Sequence, residues 1–560
     1  MRIERNDLMI ENLKTIKLTI DGEKAEIEAG VKLLDIAKDY QAKHKYPIIL
    51  AKVGNQYHEL NDQINDDLPI EFLDYKNRRG NLVYVNGLIM LLSYTATQLY
   101  GEDAKIIVRH SIDKGIYIET NFDLTQKKCK ELKEKMLSFA DKELSITKCR
   151  VDRREAINYF ANKKDTSKVD LLKYEVASTI TLYKLGGMYD YFFSLMPIST
   201  KVLRDFDLHF LSSRGLVLLF PNIYMEGIKE YEHHPKIFEV FREYQKWAET
   251  MKIDNISGLN RVVAQGRADD IIRIDETLQS NKLLNIAKSI IDKKGVKIIL
   301  IAGPSSSGKT TTCRKLSMYL RSFGLEPREI SMDDYFIDRD KCPKDENGEY
   351  DFEALEVVNL AQFEEDVKAL LQGEEVRLPV YNFIRGKSEL SPKTIKLGKN
   401  EVLIVEGIHA LNDKVLPGVE RSKKFKIYIS PLTILNIDNH NRISLTDCRL
   451  LRRIVRDNRT RGYPVEDTLK MWKKVRLGEE KHIFPNQDAA DVVFNTAFIY
   501  ELGVLKTYVE PLLYSVSLDS DYYEQAVRLI NMLNTFQPIP SDAVPEDSLL
   551  REFIGGSCYN

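Results

Sequence analysis

The 560-residue chain has six cysteines, and no two of them form a C-x-x-C pair. Cys129, Cys149, Cys313, Cys342, Cys448 and Cys558 are scattered along it. That spacing excludes a zinc knuckle and a disulfide framework and fits a reducing compartment. Charge of one sign is also not in surplus: 82 Lys and Arg stand against 84 Asp and Glu, a net of −2. Nothing in that balance draws the whole chain onto nucleic acid or a membrane. The opening MRIERNDLMIENLKTIKL has no apolar h-region. No run approaches the ~18–20 apolar residues of a membrane span. Repeats and low-complexity tracts are lacking too. The chain is 43% apolar and 30% charged, a composition that supports packed cores. At roughly 100–200 residues per domain, the length predicts about three to five domains. A soluble, cytoplasmic protein with no membrane partner is the expectation.

The front of the chain reads as a small β-rich unit over residues 13–76. TIKLTI alternates apolar and polar residues, Asp21-Gly22 makes a turn, and AEIEA returns as a second strand. A helix at VKLLDIAKDYQ and strands at IILAKV and IEFLDY follow, an order that predicts a β-grasp fold. Residues 77–225 mix helices (LIMLLSYTATQLYG, LTQKKCKELKEKMLSFADKEL, RREAINYFANKK) with strands (KGIYIET, RGLVLLF), an α+β pattern. Residues 226–290 are mainly helical and are expected to form a bridge. From 291 to 500 the pattern changes to β-loop-α. Strand candidates KIILIA, REIS, EVLIVEG, FKIYIS and DVVFNT alternate with helices, which predicts a parallel α/β domain. Residues 501–560 read as a helical C-terminal extension. The predicted class is therefore multidomain α/β.

The strongest local signal is Gly303-Pro304-Ser305-Ser306-Ser307-Gly308-Lys309-Thr310, followed by Thr311. It is G-x-x-x-x-G-K-[ST], placed after an apolar strand and at the start of a helix, the setting a phosphate-binding loop requires. Its glycines let the backbone wrap an anion, and the helix start supplies unpaired N–H groups. Lys309 meets the β/γ-phosphates, and the Thr310 hydroxyl can hold Mg²⁺. ATP and Mg²⁺ are the expected cofactors.

Two acidic positions narrow the chemistry. Asp333, in ISMDDYF, follows the second predicted strand, where a carboxylate could accept the proton of a hydroxyl poised for in-line attack. Asp334 beside it competes for that role. Glu406, at the end of EVLIVEG, occupies the strand-end position from which an acid reaches Mg²⁺ directly or through water. A basic stretch completes the set: Arg449, Arg452, Arg453, Arg456, Arg459 and Arg461. Spacings of three and four place 449, 452/453, 456 and 459 on one helix face. The expectation is a lid that neutralises the transferring phosphoryl group and excludes water; a solvated cationic face and an RNA-binding helix are the rivals.

With these motifs in place, residues 297–500 resemble the uridine kinase/phosphoribulokinase family of P-loop kinases. GPSSSGKTT, ISMDDYF, YDFEAL, LPVYNF, VLIVEGIHAL and RRIVRDNRTRG carry the resemblance. It implies Asp333 as the catalytic carboxylate, with Lys309 and Arg456 assisting transfer. It also implies Thr310, Asp333 and Glu406 around the magnesium ion. Asp351 would bond ribose hydroxyls and Tyr381 would pack against the base. Arg453, Arg456 and Arg461 would grip phosphate and substrate. Two positions depart from the family: the second arginine of R-G-R is Tyr463, and the base-reading histidine falls on Gly386.

Residues 15–75 resemble the TGS domain of threonyl-tRNA synthetases on DGEKAEIEAGVKLLDIAKDY, and 80–215 resemble that enzyme's editing-type domain on GIYIE, FDLTQKKCKELKEKM and RREAINYF. The editing domain's H-x-x-x-H pair falls on Asn86 and Met90, and its C-x-x-x-H pair near Phe193 and Pro197, so no metal-binding or hydrolytic set remains. His110 and His209 do not restore that spacing, and His233-His234 is the one histidine pair of interest. The whole order is similar to a bacterial fusion in which TGS and editing-like domains precede a uridine kinase-like domain. GPSSSGKTTT and the closing LREFIGGS both suit that group. The resemblance implies an enzyme phosphorylating a nucleoside 5′-hydroxyl, of uridine or cytidine. A regulator that binds ATP together with RNA or ribosomes, and a kinase of another small alcohol or sugar phosphate, are the alternatives. The front half is expected to bind an RNA or regulatory ligand. Self-association stays open.

Overall fold

The computed structural model of the protein describes residues 15–224, 226–344, 348–382 and 385–559. Residues 13 and 14 of the predicted first domain, and Phe383 of LPVYNF, lie outside that set. The chain divides into two compact units. The first is Met1–His233 together with Ile437–Arg442 and Ser517–Gln525; the second is His234–Asn436, Ile443–Val516 and Ala526–Asn560. Neither unit is one continuous stretch of chain.

In the first unit, β1 (Thr15–Ile20) and β2 (Glu23–Glu28) form the expected hairpin. Its turn residues Asp21 and Gly22 sit at φ 47° and 85°, the left-handed pair a two-residue hairpin needs. After α1 (Leu33–Tyr40) come β3 (Leu50–Val53), β4 (Gln56–Glu59) and β5 (Ile70–Leu73). They complete a five-stranded sheet in the order β2-β1-β5-β3-β4, with β1 and β5 parallel. Leu18, Ile20, Leu33, Ile36, Ala51 and Phe72 fill the core between sheet and helix. The long helix α2 (Arg78–Tyr100) begins ten residues before the LIMLLSYTATQLYG stretch, because the Asn77 side chain caps it by accepting from the Arg79 N–H. This helix is long and apolar enough to cross a membrane, contrary to the run-length expectation. Two thirds of its most apolar window (67%) is buried in the unit's own core.

Around α2 lie β6 (Ile106–Ile112), β7 (Gly115–Thr120), α3 (Gln126–Asp141), β8 (Ile146–Asp152), α4 (Arg153–Asn162), α5 (Thr166–Lys173), β9 (Thr179–Leu185), β10 (Met188–Asp190), β11 (Asp207–Ser212) and β12 (Gly215–Leu219). They make two antiparallel sheets, β11-β12-β7-β6 and β8-β9-β10.

In the second unit, the stretch expected as a bridge supplies α6 (Pro235–Thr250), α7 (Ile256–Ala264) and α8 (Ala268–Asp292). They are bound into this unit: Asp275 of α8 accepts the Ile499 N–H at 2.6 Å and Gln279 donates to the Ala497 carbonyl at 2.8 Å. The elements that follow are β13 (Ile298–Ala302), α9 (Lys309–Ser322), β14 (Glu326–Ser331) and α10 (Leu360–Leu371). After the small hairpin β15 (Pro379–Asn382) and β16 (Lys387–Leu390) come β17 (Glu401–Glu406) and β18 (Lys424–Ser430). The last are α11 (Leu445–Arg461), α12 (Val465–Gly478), β19 (Val492–Asn495), α13 (Glu501–Tyr514) and the short α14 (Arg551–Ile554). The five strand candidates read from the sequence form one parallel sheet, β14-β17-β13-β18-β19. Strands covered on both faces must be apolar almost throughout, and every residue of β13 and β18 is buried. Ile301, Ser331 and Glu406 fall at one level of the register, so the strand ends β13, β14 and β17 open onto a common crevice.

Candidate active site at the phosphate-binding loop

Gly303 to Gly308 link β13 to α9. Glycine is required at 303 because a Cβ there would lie 2.2 Å from the Ile429 carbonyl oxygen. Ser306 (φ 59°) and Gly308 (φ 84°) take left-handed conformations that turn the loop around its own amides. The Ser306 and Ser307 hydroxyls are buried with no hydrogen-bond partner, a cradle of unspent donors that suits a polyphosphate. Lys309 folds back, donating to the carbonyls of Gly303 at 3.1 Å and Pro304 at 3.4 Å. Thr310 faces outward and exposed. The N–H and hydroxyl of Thr311 both donate to Glu552 Oε2, at 3.2 and 2.7 Å, and the Ser305 N–H donates to Glu479 at 3.1 Å. Two carboxylates therefore sit where the loop would hold phosphate oxygens.

The acids lie at the strand ends. Ser331 donates to Glu406 at 3.1 Å, and Asp333 lies in the single turn Met332–Tyr335 directly after β14. Burial raises the Asp333 carboxyl above its usual range; the Lys309 and Arg461 charges oppose this, while Asp334 adds to it. Burial, with the neighbouring Asp333, pushes Glu406 up to about 7. Two half-buried acids of like charge favour a cation between them, and their carboxylate oxygens are donors of the kind Mg²⁺ takes. Asp334 is separated from its neighbour by its bonding: it accepts the Tyr381 N–H at 3.4 Å.

The arginines do not share one face. Arg452 is fully buried and binds Glu501 at 2.5 Å and the Thr496 carbonyl at 2.7 Å. Arg449 forms a buried two-pronged pair with Glu479. Arg459 donates to the carbonyls of Glu552 and Phe553. Arg453, Arg456 and Arg461 gather around the buried Asp457, and Arg449 also reaches the loop, donating to the Ser305 carbonyl at 3.3 Å. Arg453 also donates to the Ser305 hydroxyl at 2.9 Å. The expectation of a lid helix with a continuous cationic face is therefore corrected. Guanidinium groups three or four residues apart are sorted here by the buried carboxylates of Glu479, Glu501 and the helix's own Asp457, and by carbonyls near the end of the chain.

On the acceptor side, Asp351 accepts the Glu353 N–H at 3.1 Å and lies 3.9 Å from His482. Tyr381 is buried in β15 with its ring edge-on to Phe336 at 5.6 Å. Gly386 sits at φ 67°, and a Cβ there would meet the Arg339 side chain at 2.9 Å. Sequence reasoning missed Glu353, pushed up to about 7 by burial and by Glu479. It also missed His409, which is buried, held down to about 4 and edge-on to His482. Asp457 stood inside the quoted arginine run, and an acid among arginines was the available signal. Glu479 and Glu552 had none.

In the first unit, Pro197, one of the positions compared with the editing pairs, packs against Gly87, next to Asn86: a Cβ on Gly87 would meet the Pro197 ring at 2.6 Å. The contact there is apolar, and Met90 is fully buried. His233 shares a hydrogen bond with the Tyr231 hydroxyl at 2.8 Å, and His234, which belongs to the second unit, pairs with Asp488 at 2.6 Å.

Residues 298–499 match the phosphoribulokinase/uridine kinase family. The chain is 31% identical over 229 residues to a uridine kinase of Borrelia duttonii, covering 38% of this chain and 97% of that protein. It is 29% identical over 201 residues to a uridine kinase of Staphylococcus aureus, covering 36% and 87%. A further likeness, 27% identity over 179 residues, is to a threonine–tRNA ligase of Clostridium kluyveri; it takes in 31% of this chain but spans only 28% of that ligase. With a phosphate-binding loop, strand-end acids and a relative matched along nearly its full length, the chain belongs to the phosphoribulokinase/uridine kinase family.

Proposed function

We propose that the second unit transfers the γ-phosphoryl group of ATP to the 5′-hydroxyl of a nucleoside, uridine or cytidine. The observation that carries this reading is Asp333. It stands at the strand-end crevice in the field of Lys309, while its neighbour Asp334 is bonded to the Tyr381 backbone. In the transfer, the hydroxyl oxygen bonds to the γ-phosphorus, the bond to the β-bridging oxygen breaks, and the hydroxyl proton passes to Asp333. Lys309, Arg453, Arg456 and Arg461 balance charge on the moving group, and the loop from Gly303 to Thr311 holds the nucleotide. Thr310, Asp333 and Glu406 would hold Mg²⁺, which when bound screens the phosphate charge. Asp351 and Tyr381 would orient the acceptor.

One observation favours a second acceptor class, another small alcohol or a sugar phosphate. Gly386 replaces the base-reading histidine, and Arg339 already packs against it. The first unit is then a binding or regulatory module for RNA or another ligand, divided as residues 13–76 and 77–225. The test is ATP turnover against nucleosides, phosphopentoses and other alcohols, with Asp333→Asn alongside. A phosphorylated nucleoside that the Asn variant does not make supports the proposal. A product formed only from a phosphopentose moves it to the second class. ATP binding with no acceptor phosphorylated points to the RNA- or ribosome-associated regulator.

A further inference from the structure

The closing LREFIGGS stretch has no part in phosphoryl transfer, yet it ends against the nucleotide loop. Leu550 and Phe553 are fully buried, and Arg551 ties the turn down through the carbonyls of Ser541 and Val544 at 2.9 and 2.7 Å. Lys315, on the buried side of α9, pairs with Asp547 at 2.9 Å and so pins the start of this segment along the helix. Arg459, at the end of the arginine helix, holds the Glu552 and Phe553 carbonyls at 2.9 and 3.1 Å. The backbone of α14 is thus fixed, and the one side chain it aims at the loop is Glu552.

That side chain takes both donors of Thr311, the residue directly after G-K-T. Loop amides and the helix start serve the α- and β-phosphates in this motif. A carboxylate is the nearest protein equivalent of one edge of a phosphate: two oxygens, one negative charge, acceptors only. It cannot share those donors with a phosphate, since two anions in contact repel. We propose that Glu552 is a built-in competitor for the α-phosphate site, a side-chain gate that ATP must displace. Because α14 is anchored by buried apolar residues, the gate opens by rotation of one glutamate rather than by release of the tail. The displaced carboxylate then moves away from the phosphates, and in the empty loop the two Thr311 donors keep a partner.

This inference rests on the reading of the loop as an ATP site, and the test separates the two. Equilibrium binding of MgATP, AMP and adenosine is measured calorimetrically for the wild type, Glu552→Gln, Glu552→Asp and Lys309→Ala. Gln keeps the shape and removes the charge; Asp keeps the charge but is one methylene too short to reach. Displacing charge-assisted hydrogen bonds is worth enough that both Glu552 variants are expected to bind MgATP and AMP about tenfold more tightly. Adenosine, which has no phosphate, should bind all of them alike. Unchanged or weaker MgATP binding in both Glu552 variants, with Lys309→Ala still defective, overturns the gate and leaves the ATP site standing. Equal tightening for adenosine overturns it too, because the effect would not lie at the phosphate. If none of the four proteins binds MgATP, the ATP-site reading fails and takes the gate with it.

Discussion

Each unit gathers a cluster of charges, buried in the first and half-buried in the second, and the two clusters are built on opposite rules. In the first unit Lys168 is fully buried, and its ammonium lies 3.3 Å from Asp165, 3.1 Å from Asp190 and 3.5 Å from Asp438. His440 closes the ring through Asp190 at 2.6 Å, and Asn439 and Asn441 fill the remaining acceptors on Asp165 and Asp438. Opposite charges meet, so the field raises the lysine and lowers Asp190 despite burial. In the second unit Asp333, Glu406 and Glu353 are gathered near one lysine and several arginines, and all three acids are raised. Hydroxyls at Ser306 and Ser307 stay unpaired. A cluster that serves only the fold completes its own pairs; one that handles a ligand leaves charge and donors for the ligand to complete.

Substitutions can break this contrast. The largest effect is expected for Asp333→Asn, which should lower kcat by about 10³–10⁴-fold with MgATP binding retained, measured by single-turnover kinetics. Equal loss of binding and rate would return Asp333 to a structural role. Next comes Lys168→Met, which strands the buried Asp190 and Asp438 and the half-buried Asp165 and should cost about 3–5 kcal/mol in urea unfolding of the first unit. ATP affinity should not change.

The third test uses pH. Glu406 titrates near 7 when folded and near 4.5 when not. Between those values the unfolded chain releases a proton that the folded chain keeps, so stability is present below about pH 4.5 and falls as pH rises to 7. The full swing is about 3 kcal/mol. Glu406→Gln should flatten most of that slope, with Glu353 supplying what remains; Mg²⁺ should oppose it by favouring the ionised form. A slope unchanged by the substitution refutes the assignment. The smallest effect is a control: Lys17→Ala removes an exposed pair with Glu26 and should leave thermal unfolding unaltered.

What could be read in the sequence follows the range of the forces involved. The loop, the five parallel strands and the β1–β2 turn depend on local backbone needs and local apolar runs, and all were legible. Asp333 and Glu406 were legible as well, because a strand end fixes where a side chain points. Glu552 was not: its partner Thr311 is 241 residues away. The arginine helix failed for the same reason. Spacing places Arg449, Arg452, Arg453 and Arg456 by angle around an axis. The remote Glu479 and Glu501 hold Arg449 and Arg452 inward, while Arg453 and Arg456 pair with Asp457 of the same helix.

The discontinuity of the two units bears on how the protein is made. A ribosome releases the chain from its first residue onward, and domains tend to fold in that order. The first unit cannot follow that rule to completion. When His233 has emerged, Lys168 still lacks Asp438, and the Val108 N–H lacks the Asn439 carbonyl it donates to at 2.8 Å. Those residues arrive only after the phosphate-binding loop has been synthesised, and Ser517–Gln525 later still. The front of the molecule therefore waits, unfinished, on the back. A front fragment cut at the boundary between His233 and His234 would carry a buried lysine one carboxylate short, so that half is a poor candidate for expression alone.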